Sequence, residues 1–127
     1  MRDHTKLRAF ELSDTLALGV YRASKAFPKE ELFGLTSQMR RSAVSIACNI
    51  VEGCGRRSQA DYVHFLEIAY ASTRELGYQV SLTYRLGYLD ETAYQSLCGQ
   101  CEETARVLNG LIQSLRGRPH QDARKVQ

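Results

Sequence analysis

From Tyr62 to Thr83 the chain keeps one rhythm. Tyr62, Leu66, Ala69, Thr73, Leu76, Val80 and Thr83 follow one another at alternating steps of four and three residues. An α-helix places residues so spaced on a single face, and a stripe this regular needs other helices to bury it. The same rhythm recurs on both sides. Leu12, Leu16, Val20, Ala23 and Phe27 mark a first helix, and Leu35, Met39, Ala43, Ile46 and Ile50 a second. Tyr94, Leu97, Cys101, Thr104, Leu108, Leu111 and Leu115 mark a fourth. Strand-type alternation is absent throughout.

Punctuation between these stripes is equally plain. Pro28 disfavours helix at Phe27 and removes a backbone donor, which closes the first helix. Thr36 is placed to cap the second. Gly53 and Gly55 flank Cys54, and Gly53 reads as the left-handed residue that ends that helix. Ser58 opens the third, with Asp61 three residues on to favour its positive end. That helix ends near Leu86-Gly87, Asp90 caps the fourth, and Gly117 and Pro119 break the fourth after Arg116. Four amphipathic helices with short connections fold as an all-α, antiparallel up-down-up-down four-helix bundle. The expected division is a bundle over residues 1–116 and a flexible basic tail over 117–127.

The tail also explains the charge. The tail together with Arg116, the residue before it, sets Arg116, Arg118, Arg124 and Lys125 against Asp122 alone, which accounts for the whole net charge of +3. The remainder is neutral, so global charge selects no partner and only local patches could. With 43% hydrophobic and 24% charged residues the composition is that of an ordinary globular domain. No apolar run approaches the roughly 18–20 residues of a membrane span. The charged start MRDHTKLRAF is unlike a secretory leader. A cytoplasmic location is expected.

Beside the apolar stripe of the second helix runs a polar one: Gln38, Arg41, Ser45, Asn49 and Glu52. Ser72, Glu75 and Gln79 are its counterpart on the third helix. Facing each other, in the interior or at a subunit contact, these groups form a polar network that fixes register, with Arg41 pairing with Glu75 or Glu52. Facing water, they are an ordinary exterior. The first arrangement is expected.

Arg40, Arg41, Arg56 and Arg57 bracket the second helix, and Arg40, Arg56 and Arg57 are the candidate nucleic-acid-binding residues. The amides that open the third helix would add to a phosphate site there. The sequence shows no aromatic residues interleaved with these arginines to stack unpaired bases, which weighs against that reading. Gly53-Cys54-Gly55 lacks the lysine and serine or threonine of a phosphate-binding loop, so the glycines read as turn residues. Cys98 and Cys101 form a CxxC inside a helix rather than in loops, and with Cys48 and Cys54 they read as free thiols. His4, His64 and His120 are scattered, and the tyrosines read as packing at the core edge. No convergent set of titratable groups suggests catalysis, and no metal or cofactor is expected.

The blocks LTSQMRRSAVSIACNIVEGCGRRS, FLEIAYASTRELGYQV and LGYL, in that order behind Phe27-Pro28, resemble a bacterial family. It comprises the four-helix-bundle proteins encoded within intervening sequences of 23S ribosomal RNA genes. The Asn49 to Arg56 segment, asparagine–two residues–glutamate–glycine–any–glycine–arginine, is its most specific part. Ala47 and Cys48 stand where the family's commoner form has proline or other small residues. The resemblance implies a compact antiparallel bundle with no attached enzymatic activity. Some members are similar to accessory proteins of diversity-generating retroelements, which form five-membered rings contacting nucleic acid and a reverse transcriptase.

The leading expectation is therefore a non-enzymatic bundle that self-associates into a homo-oligomeric ring, with a pentamer implied by the resemblance, and acts as a scaffold or binding module. Its motivation is a surplus of apolar positions off the main stripes: Val44, Cys48 and Val51 on the second helix, and Phe65, Ile68, Tyr70 and Leu82 on the third. The alternative is an accessory protein that binds RNA or DNA through the arginine patch at the turn between helices two and three. Neither reading calls for a membrane or a small-molecule substrate.

Overall fold

A computed structural model describes the backbone of residues 2–126 and the side chains of residues 2–117. Four α-helices carry the fold: α1 Arg8–Ser24, α2 Leu35–Cys54, α3 Gln59–Arg85 and α4 Glu91–Val126. One 3-10 turn, His4–Lys6, leads into α1, and another, Lys29–Glu31, follows Pro28. No strand occurs among the described residues.

The seam of α3 is buried along its whole length, with no member of the Tyr62-to-Thr83 series more than 3% exposed. Two of its members are threonines, and each hydroxyl is satisfied inside the helix. Thr73 donates to the Ala69 carbonyl at 2.8 Å and Thr83 to the Gln79 carbonyl at 2.9 Å. A buried hydroxyl bonded in this way avoids the cost of an unpaired polar group. Leu16, Val20, Met39, Ile46, Ile50, Leu97 and Leu108 complete the same core from the other three helices. Each helix packs on the next and α4 returns to α1, while among the described residues the diagonal pairs show no close backbone approach.

Contacts at the ends show which termini are neighbours. Arg2 Nη1 donates to the Arg56 carbonyl at 2.8 Å, joining the lead-in of α1 to the far end of α2. The rings of Phe27 and Tyr88 lie 5.6 Å apart, and the Tyr88 hydroxyl donates to Glu31 at 3.0 Å, so the two connections at the opposite end pack together. Gln59 at the start of α3 reaches Leu115 in α4, and the Arg116–Glu67 ion pair lies beside it.

Three boundaries differ from expectation. Gly53 does not end α2: it lies inside the helix and is buried, with the C-cap at Gly55 in right-handed conformation at φ −82°. A Cβ at Gly53 would stand 3.0 Å from Phe65 Cβ and 3.3 Å from the Tyr62 carbonyl oxygen, so glycine is there to let α3 approach. The left-handed residue is Gly87, at φ +83°. The Tyr88 amide bonds to the Thr83 carbonyl and the Gly87 amide to that of Tyr84, both at 2.9 Å, which is the pair of bonds defining a Schellman close.

Thr36 does not cap α2 either. The helix starts one residue earlier, the Leu35 amide donates to the Glu31 carboxylate at 3.2 Å, and Thr36 is buried. The 3-10 turn brings Glu31 back over the helix start and so takes the capping role.

Lastly, α4 continues past Arg116 to Val126. Pro119 cannot donate to the carbonyl four residues before it, which belongs to Leu115. The Gln59 side chain donates to that carbonyl at 2.9 Å instead. A proline whose vacated acceptor is taken by a neighbour need not stop a helix. The side chains of the basic tail, Arg118, Arg124 and Lys125, lie outside the described residues.

Candidate functional site

The glycines and serine of the α2–α3 turn set the geometry of the face above them. Gly55 donates to the Glu52 carbonyl at 3.1 Å and closes α2. Ser58 caps α3, its hydroxyl oxygen accepting from the Asp61 amide at 3.0 Å. The slot at Gly53 then holds α3 close against α2 along the polar stripe.

Along that stripe the residues meet unevenly. Ser45 and Ser72 share a hydroxyl–hydroxyl bond of 3.0 Å, and Asn49 Nδ2 donates to the Ser45 carbonyl and hydroxyl at 2.8 and 3.0 Å. Ser42, one residue off the expected stripe, donates to Glu75 at 3.3 Å. Among the described residues Arg41 pairs with neither Glu75 nor Glu52: Glu52 lies about 16 Å further along the axis of α2 and is engaged by Arg56 through an i,i+4 ion pair on the surface. Gln38, Arg41, Glu52 and Glu75 are exposed, while Ser45 and Asn49 are half-buried. Gln38, Arg41 and Ser45 of the stripe, with Ser42, Ser72, Glu75 and Gln79, line a groove of about 430 Å³ between α2 and α3 that opens to solvent within one chain. Within one chain the network consists of short hydroxyl and amide rungs among Ser45, Ser72 and Asn49.

The arginines divide between two ends of α2. Arg40 Nε donates to the Ser24 hydroxyl at 2.8 Å and its guanidinium lies 4.8 Å from the Tyr21 ring, tying α1 to α2. Roughly 21 Å of helix axis separates it from the end of α2. Arg56 lies 4.6 Å from the Phe65 ring, and Arg2 lies 4.0 Å from that of Tyr62. Arg57 is exposed and in no ion pair among the described residues. So Arg56 and Arg57 stay together, Arg40 does not join them, and Arg2 does. The aromatic partners absent near these arginines in sequence are supplied by other helices.

Shifted titrations mark packing ties. The Tyr84 hydroxyl bonds to Glu91, which raises the tyrosine and lowers the carboxyl. Burial pushes Tyr62 up to about 12 beside Cys54, and burial likewise pushes the Cys101 thiol up to about 12. A thiol so raised stays protonated and unreactive at neutral pH. No group of three or more metal-ligating residues occurs among the described residues. None of their helices is long and apolar enough to cross a membrane.

Fold and site together define an all-α, four-helix protein with a polar groove between α2 and α3 and a separate arginine-bearing turn joining those helices. The chain belongs to the 23S rRNA-intervening sequence protein family, whose model matches residues 5–110. It is similar to a crystallised protein of unknown function from Bacteroides thetaiotaomicron, of the S23 ribosomal protein family. Identity is 27%, the match covers 83% of this chain and 95% of that one, and the TM-score is 0.76. No curated protein matches the chain.

Proposed function

We propose that the chain is a non-enzymatic, cytoplasmic scaffold or binding module that works as a homo-oligomeric ring of antiparallel up-down-up-down bundles. The neighbouring termini described above support the antiparallel order. The observation that carries self-association is apolar surface with no partner in the chain. Leu18, Val44, Val51 and Tyr78 are 38–61% exposed, although each sits in a regular helix where a polar residue would serve as well. On α2, Val44 and Val51 flank exposed Cys48 and form a narrow apolar strip beside the polar groove. Strips of this kind, rimmed by polar groups, suit contact with further protein. Static light scattering at micromolar concentration should return a multiple of the 14.4 kDa chain mass. A monomer across that range would defeat the proposal.

One observation favours a second reading, binding of RNA or DNA. Arg2 joins Arg56 and Arg57 at a single turn, so three cations gather where the sequence placed two. Changing Arg56 and Arg57 to glutamate should then abolish salt-dependent retention of a labelled nucleic acid while leaving the oligomer mass unchanged. Retention equal in wild type and variant would remove this reading.

A further inference from the structure

The most exposed large apolar side chain described is not on a helix. Phe33, in the α1–α2 connection, is 93% exposed, with Leu32 beside it at 49%. A phenyl ring held in water forgoes the burial that makes aromatic residues dominant in protein contacts. On another side of the molecule, α3 and α4 part to leave a groove of about 330 Å³. Its walls include Gly77, Tyr78, Cys101 and Ala105, with Arg74 and Glu102. Small-molecule clefts run from roughly 300 to 1,000 Å³, so this one is near the minimum and has room to take an aromatic side chain. Gly77 opens it: a Cβ there would meet nothing within 4 Å.

Charge matches on the two surfaces. Lys29 and Glu30 are exposed in the same connection as Phe33, and Arg74 and Glu102 are exposed at the groove. None of these four takes part in an ion pair among the described residues. Each surface thus offers both a cation and an anion outside those ion pairs, so Glu30 can meet Arg74 and Lys29 can meet Glu102.

We infer that Phe33 of one copy inserts into the α3–α4 groove of a second copy, anchoring the contact between subunits. This rests on the self-association proposed above and names the surfaces it uses. Knob and groove are different patches, so the contact is heterologous. It propagates from copy to copy and closes into a ring where the rotation permits.

Sedimentation velocity on wild type, Phe33→Ser, Gly77→Leu and an equimolar mixture of the two variants tests it. Phe33→Ser removes the knob, and Gly77→Leu fills the groove without crowding the fold. Loss of a buried aromatic anchor should weaken assembly by about 30-fold or more, leaving each variant monomeric. The mixture should form a two-subunit species and nothing larger, because one intact knob remains for one intact groove. Arg74→Glu should weaken assembly, and adding Glu30→Arg should restore it. Circular dichroism checks that each variant is folded.

Wild-type-like assembly by either Phe33→Ser or Gly77→Leu overturns the inference and leaves self-association standing through other surfaces. Monomeric variants whose mixture stays monomeric also overturn it. A monomeric wild type overturns both.

Discussion

Leu76→Ala should lower stability by about 2–5 kcal/mol. Leu76 is fully buried in the middle of α3, the helix that packs against both α2 and α4. Truncation removes the transfer free energy of the lost methyl groups and leaves a cavity that closely packed helices cannot collapse. For a domain of this size, each kcal/mol lowers Tm by roughly 4 °C, giving a fall of about 8–20 °C. Leu108→Ala in α4, also fully buried, should behave alike. Thermal unfolding followed by circular dichroism reads the effect. A change below about 1 kcal/mol would mean the core is looser than its burial indicates.

Substitution at Gly53 should have the next largest effect, and its sign is the informative part. In an exposed helix interior, glycine to alanine gains up to about 1 kcal/mol from propensity. Gly99→Ala and Gly110→Ala, where a new Cβ meets nothing within 4 Å, should show that gain. At Gly53 the new atom meets Phe65 Cβ at 3.0 Å, Tyr62 Cδ1 at 3.2 Å and the Tyr62 carbonyl oxygen at 3.3 Å. Backbone and Cβ atoms cannot rotate aside, so α2 and α3 must separate at that point. Gly53→Val adds branching to the clash and should destabilise by about 1–3 kcal/mol. Urea denaturation of the three variants settles it, and a stabilised Gly53→Val would show that the close approach is not needed.

These two positions also mark how far the sequence could be read. Leu76 was legible because burial follows from spacing, and the four-three rhythm of α3 names each buried residue on that face. Gly53 was misread because its glycine answers to the distance of another helix, which no spacing within α2 records. Pro119 was read as a stop for a similar reason. The donor that serves the Leu115 carbonyl comes from Gln59, far away along the chain. The polar stripe was visible as a stripe, yet its pairing was not. Glu52 prefers Arg56, its neighbour on the same surface, and Ser42 rather than Arg41 meets Glu75. Arg40 and Arg56 found the rings of Tyr21 and Phe65 through tertiary contacts alone. Burial set by spacing along one helix was readable, and the choice of polar partners was not.

Gly87 carries a consequence of another kind. Its φ of +83° belongs to the mirror image of the conformations that ordinary residues prefer. The turn joining the two longest helices therefore depends on the single amino acid that has no handedness. Nothing stands within 4 Å of where a Cβ would be added, so there is ample room for a side chain. The handicap of every chiral coded residue at this site, about 1–2 kcal/mol, would arise from stereochemistry even in empty space.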